Sequence, residues 1–186
     1  MKREGAAGLD FSAVCFVVYW KKQQGRRDGM QRITNCIIEF EGRILLMKKP
    51  RRGWWYAPGG KMEHDELVPE AAEREVYEET GLTIKSPELR AIVTHLVSDG
   101  ESYLEKRTMF LFHAKAFNGT LRSTSKEGEL AWIPEAELET IPMDEADRVV
   151  TRALLHEQGL MFGTFVYDQH RNLLSKKLEA GGRRIS

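Results

Sequence analysis

Cysteine is almost missing from this sequence, which carries only Cys15 and Cys36 among its 186 residues. Two thiols cannot build the disulfide framework of a small secreted domain, and no Cys/His spacing suggests a zinc site. A reducing, cytoplasmic setting is therefore expected. Net charge is missing as well, because Lys plus Arg and Asp plus Glu both number 28. Without a basic field nothing draws the chain to duplex nucleic acid or to an anionic membrane, and neither is expected as a partner. The apolar run from Phe11 to Trp20 contains one serine and is too short to span a bilayer; KKQQGRRD follows it without a small-residue cleavage site. Internal repeats and low-complexity tracts are absent. The five histidines are scattered, and each is read as structural or exposed.

What is present is the composition of one ordinary globular domain, 41% hydrophobic and 30% charged. One stretch organises it, GKMEHDELVPEAAEREVYEETGL from Gly60 to Leu82. Between Leu67 and Thr80 only Pro69 opposes a helix, and a first turn tolerates proline because its missing N–H would be unpaired there. Gly81 supplies a stop. Glu75, Glu78 and Glu79 then fall at i, i+3 and i+4, so three carboxylates crowd one sector of the helix surface. Like charges that close raise one another's pKa or recruit a cation, and hard oxygen ligands suit Mg²⁺ or Mn²⁺. Magnesium is commonly held by one or two carboxylates plus substrate phosphates, the arrangement a pyrophosphate-cleaving site requires. A Glu-rich helix by itself is usually a solvated face; here the surrounding spacing decides against that.

The rest of the chain alternates short elements. ITNCIIEF, the turn Glu41-Gly42 and RILLMKK read as a hairpin that delivers Lys48 and Lys49 toward the central stretch, to touch phosphate or to remain solvated strand-end lysines. Trp54, Trp55 and Tyr56 follow, available to stack on a base or to fill the core. Pro58-Gly59-Gly60 allows close approach of backbone to a ligand. Strands are expected over Leu82 to Lys85, Leu89 to Val97 and Arg107 to Phe117, with SDGESYLEK as a turn. A polar loop then runs into a short strand from Leu130 to Ile133. Asp144 to Gln158 reads as a second helix, with Ala146, Val149, Val150, Ala153 and Leu154 on one face, Asp144 as its cap and Gly159 after its end. MFGTFVYD reads as a further strand, LLSKKL as a possible short one, and residues 179–186 as a flexible tail.

Gly60, Glu66, Arg74-Glu75-Val76, Glu78-Glu79 and Gly81-Leu82 stand at the spacing of the Nudix signature. At average residue usage of about 7% such a pattern arises by chance in roughly 10⁻⁸ of windows, so chance is set aside. The sequence resembles the Nudix hydrolases over about residues 30–178, which implies an α/β fold, the Nudix α/β/α sandwich with a mixed β-sheet. It also implies metal-assisted attack of water on a nucleoside diphosphate linked to another group. By resemblance Glu78 and Glu79 bind metal, Glu75 binds metal or activates water, Gly60 forms the loop turn and belongs with the metal site, and Glu66 and Arg74 orient loop and helix around the catalytic group. The loop before Trp132 supplies a further glutamate in similar enzymes, and Glu127 fits best, with Glu129 in reserve.

Arg43 to Lys61 and IPMDEADRVV with FGTFVYD resemble the oxidised-purine nucleoside triphosphatases, the MutT or 8-oxo-dGTP diphosphatase branch. That branch implies Lys48, Trp55, Tyr56 and Asp147 as substrate-binding residues. Tyr56 stands where an asparagine is found in the branch, and the paired aspartates reduce to Asp147 near Asp144 and Glu145. Asp147 reads the base or only favours the helix dipole. The expected activity is magnesium-dependent conversion of purine nucleoside triphosphates to monophosphate and pyrophosphate, with only modest preference for 8-oxo-dGTP. ADP-ribose, dinucleoside polyphosphates and RNA 5′ ends are the alternative substrates, a non-catalytic sensor is a third reading, and the protein is expected as a monomer or homodimer. Residues 1–29 are read as an N-terminal extension. Arg26-Arg27 are compatible with AGG AGG codons, a ribosome-binding sequence just upstream of Met30 as natural start; CGN codons there exclude this and leave the segment a structural role such as an extra edge strand, and a weak signal peptide is a further reading.

Overall fold

A computed structural model describes residues 29–186. The N-terminal extension apart from Gly29, with its apolar run and Cys15, lies outside the described residues. Strands run β1 (Gln31–Phe40), β2 (Arg43–Lys49), β3 (Trp54–Tyr56), β4 (Gly59–Lys61), β5 (Leu82–Lys85), β6 (Glu88–Ser98), β7 (Tyr103–Ala114), β8 (Ala116–Gly119), β9 (Thr124–Ser125), β10 (Gly128–Pro134), β11 (Met161–Tyr167), β12 (Leu173–Ala180) and β13 (Arg183–Arg184). Helix α1 spans Val68–Thr80 and α2 spans Glu145–His156. The large sheet has the order β13-β12-β11-β6-β7-β1-β2-β10-β9, with β3 on β2 and β4 on β1; β5 and β8 form a separate pair. It is mixed, since β1 runs parallel to β7 and β11 parallel to β6.

Period-2 alternation explains the layers. Cys36, Ile38, Leu45, Met47 and Phe112 face α1 with Ala72 and Val76, while Ile37, Ile44, Leu46, Val93 and Phe165 face α2 with Val150 and Leu154. Both faces of the central strands are thus apolar, each under one helix, and the result is an α/β/α sandwich.

The β1–β2 hairpin shapes the cleft. Its turn residues Glu41 and Gly42 both have positive φ, the geometry of a tight hairpin, yet the strands pair only at Glu39↔Ile44 and Phe40↔Arg43. Beyond that β1 joins β7 and β4, and β2 joins β10 and β3. The sheet splits, and Pro58-Gly59-Gly60 crosses at the split.

Helix α1 starts where Glu70 accepts the Leu67 N–H at 2.8 Å and ends at left-handed Gly81. Asp144 caps α2 by accepting the Ala146 N–H at 3.0 Å. Three expectations need correction. The run from Arg107 to Phe117 is two strands, broken at Lys115, because β8 leaves the large sheet to pair with β5. The expected turn before it shrinks to Asp99–Ser102, where Asp99 accepts the Glu101 and Ser102 N–H groups, and β7 begins at Tyr103. The expected loose tail is a paired ribbon: β13 pairs with β12, and Ile185 and Ser186 exchange backbone hydrogen bonds with Leu178. No described helix is long and apolar enough to cross a membrane.

Candidate active site

Helix α1 presents Arg74, Glu75, Glu78 and Glu79 toward the split in the sheet. Arg74 is a clamp. Its Nε and Nη2 donate to Glu66 at 2.9 and 2.7 Å, its Nη1 donates to Glu75 at 2.9 Å, and Glu78 lies 3.5 Å away. Bidentate pairing to Glu66 holds the guanidinium strongly charged and pulls the Glu66 carboxyl below its usual range. Arg74 therefore ties the loop before α1 to the glutamate-bearing face of the helix.

Two glycines sit tightly in this floor, Gly60 against the Glu75 carboxylate and Gly59 against backbone, and only the second is forced. A Cβ on Gly60 would lie 2.4 Å from Glu75 Oε2, and one on Gly59, where φ is +150°, would lie 2.0 Å from the Thr34 carbonyl oxygen. Gly59 donates its N–H to Glu79 at 2.7 Å. Glu79 is only 4% exposed, its other oxygen has no hydrogen-bond partner, and burial pushes the carboxyl up to about 8. Glu75 is raised too, first by burial and further by Glu78 and Glu127, against the pull of Arg74. Glu78 sits at the outer edge with its side chain 60% exposed. Across the cleft, Lys49 Nζ donates to Glu127 at 2.6 Å, which holds that carboxyl below its usual range.

Part of this cluster opens onto one end of a cavity of about 530 Å³, while Arg74, Glu78 and Glu79 lie beside it and do not line it. Lys49, Gly59, Gly60, Lys61, Glu75 and Glu127 line that end, and Tyr56, His95, Arg107, Asp144, Asp147 and Tyr167 line the other. Tyr167 donates to Asp144 at 2.7 Å. His95 packs between Phe165 and Tyr167, with centroid distances of 5.5 and 5.6 Å, and burial lowers its pKa to about 4. Burial, with Asp144 adding repulsion, pushes Asp147 up to about 7, and burial raises the Tyr56 hydroxyl.

Two residues expected to bind substrate lie elsewhere. Trp55 is 8% exposed within the core under α2, and Lys48 sits over its ring at 5.7 Å. Successive side chains of a strand point to opposite faces, so Lys48 turns to the α2 side and Lys49 to the cleft. Glu127 lines the cavity; Glu129, paired in β10, does not. The sequence reading passed over His95, Arg107 and Tyr167, which carry no local signal: the registers His95↔Phe165 and His95↔Arg107 bring them together.

Among the described residues no three Asp, Glu, His or Cys side chains are already gathered around a metal position. Lys49 stands between Glu79 and Glu127, and Arg74 occupies Glu75. The donor set still fits a hard divalent cation: the oxygens are carboxylate, Glu127 and Glu75 disfavour charge on Glu79 as Glu78 and Glu127 do on Glu75, and a buried Glu79 oxygen is unpartnered.

The NUDIX domain family model matches residues 30–154. The chain belongs to the Nudix family. It is 40% identical to the Nudix hydrolase YvcI of Bacillus subtilis (strain 168), covering 81% of this chain and 95% of that one. It is 30% identical to the CTP pyrophosphohydrolase of Escherichia coli (strain K12), covering 68% and 92%. The crystal structure of a mutator MutT protein from Bacillus halodurans superposes with a TM-score of 0.78 at 41% identity, covering 81% and 98%. This Nudix protein is accordingly a hydrolase of nucleotide pyrophosphate bonds, and Nudix hydrolases generally use divalent metal ions.

Proposed function

We propose that this Nudix hydrolase is a magnesium-dependent pyrophosphohydrolase of nucleoside triphosphates, acting on the nucleotide pool of the cytoplasm and giving a nucleoside monophosphate and pyrophosphate. One observation carries the reading: a single cavity of about 530 Å³ joins an end lined by Glu75, Glu127, Lys49 and Lys61 to a wall of hydrogen-bonding and aromatic side chains. That volume is in the range of small-ligand sites, and its two ends match the two halves of a nucleotide.

Glu75, Glu78, Glu79 and Glu127 would hold Mg²⁺, which supplies charge neutralisation on phosphate oxygens and makes bound water a better nucleophile. Lys49 and Lys61 line the same end and offset phosphate charge. Water attacks phosphorus, the anhydride bond between the α- and β-phosphates breaks with pyrophosphate leaving, and the water proton passes to a carboxylate, a role we assign to Glu75 as the alternative to its holding the metal. Arg74 holds Glu75 in position for this.

At the other end Asp147, its carboxyl pushed up by burial to about 7, can donate to or accept from a base edge, and the Tyr56 hydroxyl offers a donor and a stacking face. The Escherichia coli relative is named for CTP, which supports a triphosphate substrate; the choice of base falls to this wall. Purine nucleoside triphosphates are the proposed substrates, with modest preference for 8-oxo-dGTP, since Tyr56 replaces the amide that reads a purine edge with two donors and an acceptor. A ratio of kcat/KM for 8-oxo-dGTP over dGTP above roughly 10³, about 4 kcal/mol, would reveal a dedicated oxidised-base pocket. The deciding panel is purified protein with Mg²⁺ and triphosphates, ADP-ribose, dinucleoside polyphosphates and capped RNA, products resolved by chromatography, with EDTA abolishing turnover. Cleavage of ADP-ribose or capped RNA without triphosphate turnover overturns the proposal, as does activity in chelator.

A further inference from the structure

Lys49 ends β2, just past the position where Lys48 pairs with Glu129 of β10. Its ammonium lies 2.6 Å from Glu127 Oε2 and 3.9 Å from Glu79 Oε1, the Glu79 oxygen that has no hydrogen-bond partner. The two carboxylates belong to different elements, Glu79 to α1 and Glu127 to the turn between β9 and β10. Arg122, earlier in the same loop, docks on the end of α1: its guanidinium donates to the Glu78 carbonyl and lies 5.7 Å over the Tyr77 ring, and its N–H donates to the Thr80 carbonyl at 2.9 Å. The loop is thus seated on the helix by Arg122 at one point and by Lys49 at another. Without a cation at the second point, Glu127 would face Glu79 and Glu75 with only Arg74 on Glu75 and the Gly59 N–H on Glu79 to offset their repulsion.

We propose that Lys49 is the exchangeable counter-cation of this site, a positioning residue that joins Glu127 to Glu79 and competes with the divalent metal for those two carboxylates. The inference rests on the metal-dependent reading above and adds a regulator of metal loading to it. An ammonium on a flexible four-carbon stem is a compact charge without fixed geometry, suited to giving up one set of oxygens and taking another. A divalent cation needs the same carboxylate lone pairs. Lys49 also lines the cavity, so an ammonium released from Glu127 stays within the space a phosphate chain would enter.

Two effects of opposite sign follow, and together they separate this role from plain structural support. Removing the charge loosens the β9–β10 turn and at the same time strengthens metal binding. A lysine that merely braced the turn would give the first without the second.

The test is a Mn²⁺ titration, followed by electron paramagnetic resonance of the free ion, on the full chain and on Lys49→Met, with Lys49→Gln as the substitute if that variant does not fold. Loss of one competing, partly exposed ion pair should tighten Mn²⁺ binding about two- to fivefold. In chelated protein the amides of residues 124–128 should exchange hydrogen about fivefold faster in Lys49→Met, and saturating Mn²⁺ should abolish that difference. Lys49→Arg, which keeps the charge, should match wild type in Mn²⁺ affinity within about twofold. Lys48→Met, changing a lysine on the opposite face, should move neither reading. Unchanged or weaker Mn²⁺ binding by Lys49→Met overturns the proposal, and so does an equal tightening in Lys48→Met, which would mean that any lost positive charge suffices. Failure of the metal reading itself looks different: Glu79→Gln and Glu127→Gln would then leave Mn²⁺ binding unchanged, whereas failure of the Lys49 role alone leaves both variants weakened.

Discussion

The two ends of the cavity handle the same electrostatic problem differently. At the α1 end four carboxylates are brought together and partly neutralised by Arg74 and Lys49, cations within hydrogen-bond reach. At the opposite wall Asp144 and Asp147 meet no such cation. Tyr167 donates to Asp144, His95 is kept neutral by burial, and Arg107 and Arg171 are engaged by Glu105. Burial raises Glu79 and Asp147 alike. The difference is what the proposed function requires, with one end to attract a cation and the other to exchange protons and hydrogen bonds with a neutral partner such as a base.

The strongest way to break this contrast is at the charged end. Glu79→Gln and Glu78→Gln keep side-chain shape and remove charge, so each should lower kcat by about 10²-fold or more, ~2.7 kcal/mol of barrier, with an unchanged far-UV circular dichroism spectrum. More than a tenth of wild-type kcat in either would argue against a metal-binding role for that residue. Next comes the backbone floor of that same end. Gly59→Ala forces a Cβ to 2.0 Å from the Thr34 carbonyl oxygen and should destabilise the protein by about 2–3 kcal/mol. A fall in Tm of several degrees is expected in a thermal melt, and an unchanged Tm would mean that the crossing relaxes freely.

At the opposite wall the effects are smaller and depend on pH. The Asp147 carboxyl rises from 3.8 to about 7 in the folded protein, so the folded state holds its proton more tightly than the unfolded chain. Its stabilising contribution is complete below about pH 4 and is lost as pH rises toward 7. Asp147→Asn has no such slope. Its stability relative to wild type should therefore climb by about 2 kcal/mol between pH 4 and 8 in urea unfolding, a part of the ~1.4 kcal/mol per unit that full burial would give. Parallel curves for the two proteins would show Asp147 to be ionised and solvated. The least effect is expected from Tyr167→Phe, which removes the donor to Asp144 and should cost about 1 kcal/mol. Steady-state kinetics should then show KM for the nucleotide raised about fivefold with kcat nearly constant. A fall in kcat alone would move Tyr167 from the base wall to the chemical step.

What the sequence determined by itself is the part of the protein set by local spacing. Glu75, Glu78 and Glu79 share a helix face because 3.6 residues make a turn, and Gly81 ends that helix at a positive φ. The apolar stripe of α2 and its Asp144 cap are equally local, and so is the β1–β2 turn at Glu41-Gly42. Tertiary structure decided whatever depends on register between distant strands. Whether Lys48 or Lys49 enters the cleft follows from the pleat of β2 against β3 and β10. The same kind of register sets Glu127 rather than Glu129 in the cavity, joins His95 to Phe165 and Arg107, and pairs the C-terminal ribbon with itself. A shift of one residue in any of these pairings would turn each side chain to the opposite face, and nothing within a few residues of Lys49 or His95 selects between the two.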